Sequence, residues 1–135
     1  MATQQPRDDM SLEQIEDDVW GDAPDEATHL VATVHRLRRK PIGALTAEDL
    51  RMLVNQKEGV DVLVPRALDR LAQEPLLEGD FFPGDVLTAV LRVPASYWSA
   101  HPELLAKLDR IITSIDDPDA DIRADIAAFR NAIGS

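Results

Sequence analysis

Apolar residues recur at helical spacing in almost every segment of this 135-residue chain, and the strict alternation of a half-buried strand is nearly absent. Leu30, Val34 and Leu37 make one such stripe, Leu50, Leu53 and Val54 a second, and Ile122, Ile126 and Phe129 a third. Residues three and four apart share a helix face, so each stripe calls for another helix to bury it. The pattern predicts an all-α fold: a compact single-domain bundle of six or seven short helices with no internal repeat.

Local chemistry marks several boundaries. Thr46 can accept from the amide of Asp49 while Asp49 reaches back, and Leu45 and Leu50 occupy the two positions of a hydrophobic staple. Gly59 is expected to close that helix as a C-terminal cap. A helix is expected over 62–73, with Val64, Leu68 and Leu71 on one face, Pro65 in or near its first turn and Pro75 beyond its end. Further helices are predicted over 11–19, 84–93, 102–115 and 118–133, with a turn of helix over 95–99. His101 and Asp117 stand as N-caps before Pro102 and Pro118. Residues 1–10 read as a flexible acidic lead-in and 11–135 as one domain.

The segment 76–85, LLEGDFFPGD, is a loop punctuated by Gly79, Pro83 and Gly84 yet rich in Leu and Phe. It has two readings. Phe81 and Phe82 can lock it into the core while Asp80 and Asp85 cap turns or the next helix, or the loop can present Glu78, Asp80 and Asp85 to a partner. The structural reading is preferred, because glycines and prolines at set places serve backbone geometry first. Replacing either Phe by Ala would then cost ~3–5 kcal/mol if the ring is fully buried.

Charge narrows the function. The net charge is −11, with 25 acids against 14 bases, which disfavours phosphate backbones and anionic lipid as ligands. The excess is concentrated: residues 1–26 hold nine acids and one base, whereas 27–57 hold two acids and six bases. Within the acidic stretch Trp20 is flanked by Asp17, Asp18 and Asp22, an apolar anchor ringed by acids that suits a basic partner. The basic run Arg36, Arg38, Arg39 and Lys40 is expected to meet helix-end carbonyls and the acidic N-terminal segment. Tyr97 and Trp98 are the other conspicuous large aromatics.

No feature asks for catalysis. The chain has no cysteine, hence no disulfide, thiolate nucleophile or sulfur-ligated metal, and this suits a reducing cytoplasm. His29, His35 and His101 are dispersed, and the six-residue step from His29 to His35 puts them on nearly opposite helix faces. The run Asp116, Asp117, Asp119, Asp121 lacks the glycine and closing glutamate of a calcium loop, and reads better as helix capping. No phosphate-binding glycine loop or nucleophile elbow occurs. No secretory signal or membrane span is apparent. No catalytic residue, metal or cofactor is assigned.

The stretch 45–93, LTAEDLRMLVNQKEGVDVLVPRALDRLAQEPLLEGDFFPGDVLTAVLRV, resembles the core of a family of immunity proteins of bacterial contact-dependent growth inhibition systems. The resemblance extends upstream through SLEQIEDDVWGDAP at 11–24 and LRRKPIGAL at 37–45, and covers about 11–98. Its most specific pieces are the LTAEDLR helix start, the LVPRAL helix and EGDFFPGD; none is catalytic. The resemblance implies a small cytoplasmic protein that binds the C-terminal toxin domain delivered by a neighbouring cell and blocks it without catalysis. Many such toxins are nucleases with basic substrate channels, so the implied partner surface is basic. An acidic helical adaptor or regulatory module with no toxin partner is the alternative, and self-association is left open.

Overall fold

The computed structural model describes residues 6–134, which form eight α-helices, two 3-10 helices and no strand. The α-helices are α1 (Leu12–Glu16), α2 (His29–Leu37), α3 (Ala47–Asn55), α4 (Val60–Gln73), α5 (Asp85–Leu91), α6 (Ala95–Ala100), α7 (Pro102–Ser114) and α8 (Ala120–Ala132). The chain adopts the expected all-α bundle, with eight α-helices among the described residues where six or seven were expected.

The centre is α5, whose seven residues are all buried. Its sequence DVLTAVL is apolar except for Asp85 and Thr88, which are buried with hydrogen-bond partners, as a helix enclosed on all sides requires. It packs against α3, α4 and α8, while α3 also meets α2 and α4, and α7 packs on α4 and α6. Trp98 of α6 is buried, donates from Nε1 to the Val93 carbonyl at 3.2 Å and lies edge-on to Phe129 of α8 at 6.0 Å. The C-terminal part of the chain, beyond the recognisable stretch, therefore closes the same core. Lys107 of α7 pairs with Asp69 of α4.

The Thr46 capping box forms as expected: the Thr46 hydroxyl accepts from the Asp49 amide at 3.1 Å, and the Asp49 carboxylate accepts from the Thr46 amide at 3.0 Å. Leu45 and Leu50 are both buried.

Several boundaries differ from expectation for identifiable reasons. The first helix ends at Glu16, not near residue 19, because Asp17 turns left-handed at φ 53°. The C-terminal cap of α3 is built by Lys57, not Gly59. Lys57 is left-handed, its amide donates to the Val54 carbonyl and that of Glu58 to Leu53, both at 2.9 Å, which is the double-bonded Schellman closure. Gly59 instead starts α4 at φ 63°, where a Cβ would stand 2.7 Å from Leu12. With α4 starting at Val60, Pro65 sits in the second turn. Asp119 rather than Asp117 caps α8, accepting from the Ile122 amide at 2.9 Å; Asp117 turns left-handed and meets Arg123. His101 holds the N-cap position of α7 but its side chain makes no capping bond, because Nδ1 lies 2.8 Å from the Tyr97 carbonyl.

Of the expected lead-in, residues 1–5 lie outside the described residues. Pro6–Asp9 forms a 3-10 helix packed on the other one, Ile42–Ala44, with Asp8 paired to Arg66 at 2.6 Å and the Ile42 amide donating to the Met10 carbonyl at 2.8 Å.

Candidate partner-binding site

The acidic stretch is folded back onto the basic end of α2. Arg38, only 1% exposed, donates to Glu16 at 2.7 Å, to Glu58 at 3.3 Å and to the Asp18 carbonyl at 2.9 Å. A buried guanidinium needs such partners, since an unpaired buried charge is strongly destabilising. Arg39 pairs with Asp22 at 2.9 Å, and Lys40 with Asp49 of α3 at 2.7 Å. The expected pairing of the basic run with the acidic segment thus holds for Arg38 and Arg39. Burial pushes the Glu58 carboxyl above its ordinary range, against the pull of Arg38, with Glu16 adding like-charge repulsion.

Trp20 is mounted on this network. Its ring lies over the Arg38 guanidinium at 4.3 Å and edge-on to His35 at 5.0 Å. Its Nε1 donates to Asp18 at 3.2 Å and its amide to Glu13 at 3.3 Å. The indole is 38% exposed, so one part is fixed and another faces solvent. Asp17, Asp18 and Asp22 are all exposed around it. Val19, Leu30 and Val31 are exposed too, and Trp20, Leu30 and Val31 line a hollow of about 170 Å³ closed by Val34, Gln56 and Glu58. The sequence stripe put Leu30 in the core with Val34 and Leu37; only the latter two are buried. The apolar surface beside Trp20 is therefore larger than expected. The cue was Val31, an apolar residue off the stripe set by Val34 and Leu37.

In the second sequence candidate, the loop 78–85, Asp85 caps the turn as the structural reading expected, but the two rings are not in the core. Phe81 is 67% and Phe82 40% exposed, so the rings do not pin the loop to the core, and the cost of ~3–5 kcal/mol that full burial would carry does not apply. Asp85 does the anchoring. It is 3% exposed, and its carboxylate accepts from the amides of Gly79 at 2.6 Å, Phe81 at 3.0 Å and Phe82 at 3.4 Å. Asp85 therefore points into the loop and not toward a partner. Glu48 of α3 accepts from the Asp80 amide at 2.9 Å and holds Arg51 in two bonds of 2.7 and 2.6 Å. The hydrogen bonds from Arg51 keep the Glu48 carboxyl below its usual range. Gly84 takes φ 95° with Ile122 of α8 against it, and a Cβ on Gly79 would stand 2.6 Å from the Glu48 carboxylate. Glu78 and Asp80 remain exposed.

Among the described residues, no group of three or more His, Asp and Glu could hold a metal ion, and no helix is long and apolar enough to cross a membrane. No curated protein and no solved structure matched the chain. The family model of CDI immunity proteins does match, over residues 14–108, a span that contains Trp20 and its network except Glu13, the loop 78–85 and the central helix α5. That span is more than half of the 135 residues, and the chain belongs to the family of CDI immunity proteins.

Proposed function

We propose that this protein neutralises the toxin domain of its cognate contact-dependent growth inhibition system by forming a stoichiometric complex in the cytoplasm, without catalysis and without a cofactor. The contact centres on Trp20, with Asp17, Asp18 and Asp22 as its acidic rim, and the toxin surface it meets is basic. The observation that carries this reading is the mounting of Trp20: a half-exposed indole fixed by Arg38, His35, Asp18 and Glu13, beside the exposed Val19, Leu30 and Val31. Interface hot spots favour such aromatic anchors with a polar rim, and the surrounding acids steer a basic partner and raise its association rate. A nuclease with a basic substrate channel is the toxin class that fits.

The test is calorimetric titration of the purified chain with the toxin domain encoded by the adjacent upstream reading frame, at low and high salt. A one-to-one complex that weakens with salt is expected. Reversing Asp17 and Asp18 to Lys should weaken it more than reversing Asp116 and Asp121, controls chosen because Asp119 caps α8. Equal losses would point to diffuse electrostatics and sink the Trp20 assignment; a stable complex with a protein of the producing cell, and none with the toxin, would favour an adaptor role.

A further inference from the structure

The loop 78–85 combines two properties that seldom coincide. Its backbone is fixed at the amides of Gly79, Asp80, Phe81 and Phe82 by the carboxylates of Asp85 and Glu48. Its largest side chains nevertheless face water, Phe81 at 67% and Phe82 at 40% exposure. Single exposed apolar residues are ordinary, but two adjacent phenylalanines on a fixed mount form a patch. Arg51 lies over the Phe81 ring at 4.5 Å and is itself clamped by Glu48, so the ring is supported from one side. Anchoring by carboxylates makes the rings unnecessary for holding the loop. A group already ordered before contact loses little entropy on binding.

From this arrangement we infer that the Phe81–Phe82 loop is a second, preorganised anchor for the toxin domain, entering an apolar hollow whose rim is basic. The exposed carboxylates of Glu78 and Asp80 beside the rings give the charge complementarity. Consecutive residues at the C-terminal end of α3 border the two hollows, Asn55 that of Phe81 and Phe82 and Gln56 that of Trp20. A second copy of this chain is a poor occupant, since it would set acid against acid on a protein of charge −11.

The inference rests on the proposed toxin partner, and the experiment separates the two. Binding of the upstream-encoded toxin domain is measured by calorimetry for the wild-type chain and for Phe81→Ala, with thermal melts of both and sedimentation of the free proteins. Phe81→Ala should keep its melting midpoint within about 2 °C, as an exposed substitution does, and weaken binding at least roughly 30-fold, as expected of a hot spot. In the wild type, amide hydrogen exchange over 79–82 should slow further when toxin is added, a readout that needs no variant. If the wild type forms no complex, the toxin reading fails and this one with it. If it does, but Phe81→Ala binds within about threefold and the loop amides gain no protection, only the loop anchor fails. A wild-type dimer that Phe81→Ala converts to monomer would show a self-contact and overturn it equally.

Discussion

Removing the Asp85 side chain is the sharpest test of how the loop is held. Asp85→Ala deletes the acceptor of two well-formed bonds, from Gly79 at 2.6 Å and Phe81 at 3.0 Å, and of a marginal third from Phe82 at 3.4 Å. A hydrogen bond to a charged group contributes about 1.5–3 kcal/mol. Two of them set an upper range near 3–6 kcal/mol, and the loop amides regain water when the loop opens, so about 2–4 kcal/mol is expected. For a chain of this length that lowers the melting midpoint by about 7–14 °C. Asp85→Asn should recover less than half, because its amide nitrogen would face a backbone N–H where the carboxylate accepts. Asp80→Ala, an exposed side chain in the same loop, should stay within about 0.5 kcal/mol of wild type. Urea unfolding gives the free energies, and hydrogen exchange at Gly79 and Phe81 reports the loop itself. An Asp85→Ala chain within about 0.5 kcal/mol of wild type, with unchanged exchange over 79–82, would refute the carboxylate anchor.

Two further outcomes follow from other carboxylates and their partners. Arg38→Ala leaves Glu16 and Glu58 facing each other without their cation; a loss of about 3–5 kcal/mol in urea unfolding is expected, together with faster exchange of the Trp20 indole N–H, and an unchanged indole signal would count against Arg38 as its support. Glu48 titrates below its ordinary value of 4.5, chiefly through its bonds from Arg51. A folded-state value below the unfolded one means stability that is present above the ordinary value and lost as pH falls through the lowered one. The stability gap between wild type and Glu48→Gln should therefore be widest above pH 4.5 and close on acidification, as followed by melts across pH 3–7; a gap independent of pH would contradict the pairing.

Features set by short-range chemistry were legible in the sequence. The Thr46 capping box and the helical stripes of α3 and α4 depend on residue type and spacing, the pairing of Arg38 and Arg39 with the acidic stretch on the separation of charge along the chain, and the chain realises all of them. What misled was hydrophobicity taken as burial. Phe81 and Phe82 read as core pins, yet the anchoring falls to a carboxylate four residues on, whose three amide partners become visible only once the loop is closed. Leu30 lies at the right spacing for the α2 stripe, but it is in the first turn of the helix and stays exposed while Val34 and Leu37 are buried. Asp117 and Asp119 are equally good caps on paper. The choice falls to Asp119 because Ile122 and Phe129 then face the core, while Arg123 meets Asp117 and the Pro118 carbonyl.

The way the 78–85 loop is tied has a consequence for how such a protein can change. Its shape is held through backbone amides by Asp85 and Glu48, and by the tight fits at Gly79 and Gly84, whereas the side chains at 80, 81 and 82 point away from those ties. Substitutions at these three positions can alter the exposed face of the loop while leaving the scaffold standing. For the toxin contact proposed above, that separation lets new specificity arise one residue at a time without a folding defect to repair.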